Sequence, residues 1–173
     1  MKSLSVRLGV ILIGLFIFIY TETLGKDGSG RITLWGIKGV YVLVERLKPD
    51  LEKDGLTEDQ LLTDVELQLR KVGIRVLTKG ELYKVPGSPC LYVNINAYKG
   101  KVSQFFWYCL NIKVSLNQDV LLERKLSITE SCSTWERSTL GGCGKSSIKE
   151  YVREGLKEII DEFINDYLTA NPK

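Results

Sequence analysis

Gly144-Lys145-Ser146, just ahead of a helical pattern, has the ending of a phosphate-binding loop, in which backbone N–H groups and a lysine hold phosphate oxygens. The complete loop needs another glycine five residues before Gly144, and that position is Thr139. It also needs a buried strand ahead of it and a βαβ unit around it. A glycine-rich connection over 141–144, closed by a serine cap, accounts for these residues without any ligand. Gly144, Lys145 and Ser146 are therefore anion-binding candidates only through the lysine charge and the N-terminus of the following helix.

Other chemistries have less behind them. The chain contains no histidine, so the commonest general base and metal ligand is missing. A serine nucleophile would have no imidazole to activate it, and no S-x-x-K stands in a supporting context. Glu158, Asp161 and Glu162 lie clear of the apolar stripe of the last helix and read as a solvated face. Glu45-Arg46 reads as an ordinary surface ion pair. No catalytic residue, cofactor or metal is expected. The four cysteines, Cys90, Cys109, Cys132 and Cys143, lack the close C-x₂₋₄-C spacing of a zinc site. Their even number suits a disulfide-forming compartment, or else four unpaired, partly buried thiols.

The element that would position most of these groups is a hairpin beginning at Cys90. Leu91, Val93, Ile95 and Ala97 alternate with polar residues, and the alternation resumes through Phe106, Tyr108, Leu110, Ile112, Val114 and Leu116. With Lys99-Gly100 as a two-residue turn, Cys90 faces Cys109 and Tyr92 faces Trp107. That register predicts the disulfide Cys90–Cys109 and leaves Cys132–Cys143 as the second bond. It also sets Tyr92, Tyr98, Phe105 and Trp107 on the face away from the core. Cross-strand packing explains part of this, but four large aromatics on a solvent face are also candidates for an interface.

In order along the chain, residues 26–39 read as a flexible lead-in, with a short strand possible over 32–35. Val40-Tyr-Val-Leu-Val-Glu45 is a central strand. Thr57 with Gln60 opens a helix whose stripe is Leu61, Leu62, Val65, Leu69 and Val72, ending at Gly73. Ile74-Arg-Val-Leu77 follows as a parallel strand, and residues 78–84 hold a helical turn. After the hairpin, Asn117-Gln-Asp119 turns the chain into a strand over 120–135. Ser147 with Glu150 caps the last helix, with a stripe of Val152, Leu156, Ile159, Ile160, Phe163 and Tyr167. The β-α-β-β-β-β-α order predicts an α+β fold: one mixed, mostly antiparallel sheet with two amphipathic helices on one face, forming a single domain over 40–173.

Residues 1–25 read as an export signal or an uncleaved anchor. Lys2 and Arg7 precede an apolar run of 13 residues over 8–20, and Thr23-Leu24-Gly25 is an imperfect cleavage pattern. The run is shorter than the roughly 20 residues of a spanning helix. Export predicts a periplasmic or secreted protein, touching membrane only through a retained amino-terminal segment. Losing Lys2, Arg7 and Glu22 takes 24 basic and 21 acidic residues to 22 and 20, too even a balance for nucleic-acid binding.

The run Gly73-Ile-Arg-Val-Leu-Thr-Lys-Gly-Glu-Leu82 after an amphipathic helix resembles a theme of small exported bacterial envelope proteins. With the element order, the chain is similar to the amino-terminal domain of the periplasmic TolB family. That resemblance implies a non-catalytic module that works through contacts, with an envelope protein or a second copy as partner. The alternative is a small-ligand or anion binder, or a histidine-free enzyme, using the 141–145 loop.

Overall fold

The computed structural model describes residues 30–172; the expected export signal and the start of the lead-in lie outside them. Four strands form one sheet in the order β1-β2-β3-β4: β1 (Tyr41–Val44), β2 (Cys90–Val102), β3 (Phe105–Leu122) and β4 (Lys125–Gly144). β1 and β2 are parallel and the other two pairs antiparallel. Between β1 and β2 run α1 (Pro49–Lys53), α2 (Glu58–Lys71) and α3 (Lys79–Leu82); α4 (Ile148–Ala170) follows β4 through a 3-10 turn, Lys145–Ser147. This is the expected α+β fold.

The core follows from two periodicities. Leu91, Val93, Ile95 and Ala97 of β2 and Tyr108, Leu110, Ile112, Val114 and Leu116 of β3 are buried on one sheet face. Leu61, Val65 and Leu69 of α2 and Val152, Leu156, Ile159, Ile160 and Phe163 of α4 cover them. Thr57 Oγ1 accepts from Gln60 N at 3.3 Å to start α2. The full reciprocal capping box belongs to the short α3, between Thr78 and Glu81.

The hairpin register differs from the expected one. β2 runs on through Lys99-Gly100, and the turn falls at Ser103-Gln104, with Ser103 in the left-handed region at φ 56°. Cys90 now faces Asn117, Tyr92 faces Ser115, Tyr98 faces Cys109 and Gly100 faces Trp107. Within the strand, Lys99 Nζ pairs with Asp54 Oδ2 at 2.6 Å. The slip is an even number of positions, so every residue keeps its face while changing its partner.

That slip separates Cys90 from Cys109, and the continuity of β4 separates Cys132 from Cys143, so neither expected disulfide is present. Cys90 and Cys109 sit near opposite ends of the paired strands, and Cys132 and Cys143 lie on the single strand β4, roughly 35 Å apart at the strand rise per residue. All four are free thiols.

Three further expectations change. Asn117-Gln118-Asp119 continues β3, and the chain turns at Glu123-Arg124 instead, so β3 and β4 make a ribbon that runs past the end of β2. The glycines of 141–144 form the end of β4, not a loop. Gly142 lies against the sheet where a Cβ would meet the Tyr108 carbonyl oxygen at 2.8 Å. The strand expected over Ile74-Arg-Val-Leu77 is reduced to one parallel bridge, Val40 to Val76. In place of a flexible lead-in or strand, Arg31–Leu34 is a 3-10 turn with Leu34 fully buried, tied to α4 by Asn171 Nδ2 donating to the Leu34 carbonyl at 2.9 Å.

Candidate functional site

Both long helices pack on one face of the sheet, which leaves two distinctive regions: the open sheet face, and a cleft at the hairpin end on the helix side.

The open face carries the expected aromatics. Tyr98 is 68% exposed, Trp107 40% and Phe105 79%; Leu140 of β4, 75% exposed, lies further along the same face, opposite Asn111. Tyr98 and Trp107 meet edge to face, with ring centroids 6.1 Å apart. Tyr92 is half-buried; a hydrogen bond to Glu45 and burial push its phenol up to about 12. Asn94 also donates to Glu45. Lys113 and Glu136 pair across β3 and β4 at 2.7 Å. Cys109 is exposed among these groups, while burial pushes the Cys90 thiol up to about 11, well away from a reactive thiolate. Phe105 stands apart at the hairpin end, where it also lines the cleft.

The cleft, about 750 Å³, brings together the anion-binding candidates Gly144, Lys145 and Ser146 with groups that sequence reasoning missed. Asp54, at the end of α1, is half-buried with its side chain covered, and accepts from Lys99 Nζ at 2.6 Å, Lys145 Nζ at 3.0 Å and Tyr108 Oη at 2.6 Å. Burial alone would raise its carboxyl; the hydrogen bonds from Lys99, Tyr108 and Lys145 outweigh that and hold it well below the usual carboxylate range. The Asp54 hydrogen bond in turn raises Lys99, so its ammonium stays protonated. The Nζ atoms of Lys99, Lys101 and Lys145 stand 5.3, 5.2 and 5.8 Å from the Phe106 ring centre. A carboxylate held this acidic is a poor base.

The expected Ser147 cap makes no side-chain bond; the 3-10 turn leads into α4 instead. Compared with protein-family models, curated proteins and solved structures, the chain matches none. Among the described residues there is no group of three or more acidic or cysteine side chains placed to hold a metal ion, and no helix long and apolar enough to cross a membrane.

A second buried carboxylate ties the architecture together. Asp166 of α4 accepts from Trp135 Nε1 at 2.9 Å, Arg31 Nε at 2.8 Å and Arg137 at 3.2 Å. Burial raises its carboxyl, and these three partners together bring it below the ordinary value. Asp161 and Glu162 lie on a solvated face as expected, with side chains about half exposed; there Asp161 accepts from Gln68 at 3.1 Å and Glu162 pairs with Arg137 at 3.3 Å. Between α2 and α4, Arg153 holds Asp64 through two bonds of 2.6 and 2.9 Å. These are bonds between elements, with their acceptors already filled.

Proposed function

We propose that the chain is an exported, non-catalytic binding or assembly module of the bacterial cell envelope, acting through the open face of its sheet. The observation that carries this is the placing of Tyr98, Trp107 and Leu140, all solvent-exposed, on a sheet face that neither helix covers. Large exposed aromatic and aliphatic side chains among polar neighbours are what contact surfaces are made of. Export rests on the amino-terminal basic and apolar residues, and the likeness to the amino-terminal domain of the TolB family agrees with a module that works by contact. Replacing Trp107 with Ser tests the reading. It should leave the protein folded while releasing it from its complex in gently solubilised native cells; an unchanged complex would overturn it.

A second reading, an anion binder at the cleft, has one observation in its favour: three lysine ammoniums gather around Phe106, and two of them, Lys99 and Lys145, share the single carboxylate of Asp54. A phosphate titration followed by melting temperature tests it. Stabilisation by phosphate that disappears in Lys145→Ala would support this reading, and no stabilisation would dismiss it.

A further inference from the structure

We propose that a second copy of this chain covers the open sheet face, the two sheets stacking face to face about a two-fold axis. The inference rests on the open face being a binding surface and adds what occupies it.

Charge selects the occupant. In a two-fold contact a patch meets itself, so a patch with net charge repels itself. Where three strands lie side by side, the charges on the open face are Lys113 and Glu136, already paired with each other at 2.7 Å; Asp119 stands beyond, on the two-stranded ribbon. Glu45 lies just past β1, at the edge of the patch, where it is occupied by Asn94 and Tyr92. A lipid surface or nucleic acid would need an excess of basic residues here, and the lysine cluster is on the opposite side of the sheet, under the hairpin end.

Size agrees. β3 is paired on both sides from Trp107 to Leu116, a length of roughly 33 Å across a width of roughly 14 Å for three strands. With β1 added, each copy offers on the order of 500 Å², so a pair buries about 1,000 Å², the lower bound for a specific interface. Sheets stack about 10 Å apart, close enough for Trp107 and Leu140 to interleave with their counterparts.

Two exposed thiols make the test internal to the protein. Cys109 lies within the patch, opposite Tyr98, whereas Cys132 lies opposite Gln118 on the ribbon beyond the reach of β2. The reduced protein, in the form its native host produces, is sedimented over a concentration series and alkylated at each point. A dimer mass is expected, and where about nine chains in ten are paired, Cys109 should be alkylated about tenfold more slowly than Cys132. Leu140→Glu, at an exposed position that folding does not need, should return the protein to monomer and Cys109 to the Cys132 rate. A protein that remains monomeric, or a dimer whose Cys109 reacts as fast as Cys132, overturns the proposal. Alkylation in freshly lysed native cells separates it from the wider reading. Cys109 protected there but reactive in the purified protein at every concentration means a different protein covers the face, which refutes self-pairing alone. Cys109 reactive in both settings refutes both.

Discussion

The indole of Trp107 lies across Gly100, its partner on β2, in the space where any larger side chain would project. The glycine is what allows the ring to lie flat on the sheet and meet Tyr98 at its edge. The same contact keeps Gly100 within the strand and moves the turn four residues further along.

Gly100→Ala should therefore displace Trp107. The methyl group meets only ring atoms of a part-exposed side chain that can swing away, so the cost should stay at or below about 1 kcal/mol, the low end for overpacking. Trp107 emission should also shift to the red as the ring moves into water, with buried Trp135 unaffected. Urea denaturation and fluorescence check this; a variant with unchanged spectrum and stability would mean the indole does not occupy that space.

Asp166 should be one of the most sensitive polar positions. Its removal leaves Trp135 Nε1 buried without an acceptor and takes the shared partner from Arg31 and Arg137. Asp166→Ala is expected to cost about 3 kcal/mol or more, the range for breaking a buried ionic network. Equilibrium urea melts give the value, and a loss below about 0.5 kcal/mol, the level of an ordinary surface substitution, would contradict the network.

Acid should destabilise the protein through the same two carboxylates. Asp54 and Asp166 are both held below the ordinary carboxylate value, so below about pH 4 the unfolded chain takes up protons that the folded chain does not. Their contribution is complete above that pH and is lost as the pH falls through the lowered folded values. Melting temperature should fall steeply from about pH 4 downward, and Asp54→Asn should make that fall shallower, although it lowers stability at neutral pH. Parallel profiles for the two proteins would show that Asp54 is not held ionised by the fold.

The thiols give a direct check on the register. In dilute solution under reducing conditions, Cys109 and Cys132 should be alkylated first and Cys90 last, since Cys90 is half-buried with its thiol pushed up to about 11. Peptide mapping without reductant should recover neither a Cys90–Cys109 nor a Cys132–Cys143 link within a chain. A Cys90–Cys109 peptide would reinstate the turn at Lys99-Gly100.

Faces were legible in the sequence, and partners were not. A period of two puts Leu91, Val93 and Ile95 with Leu110 and Ile112 on one side, and Tyr98 with Trp107 on the other, for any register that slips by an even number of residues. In the same way a period near 3.6 marked the stripes of α2 and α4, because burying an apolar stripe dominates helix placement. The turn was misplaced because Lys-Gly is a plausible local turn, while Ser103-Gln104 carries little turn signal. What decided between them were contacts distant in sequence: Lys99 with Asp54, 45 residues away, and the Trp107 ring over Gly100. The cleft was half visible, since Lys145 stood out beside glycines and a helix start, but Asp54 in a polar loop has nothing to distinguish it until α1 folds it under the hairpin. Asp166 sits in the last helix with no local mark at all. A buried charge is identified by partners that tertiary structure brings to it, and here those partners, Arg31, Trp135 and Arg137, come from other elements of the fold.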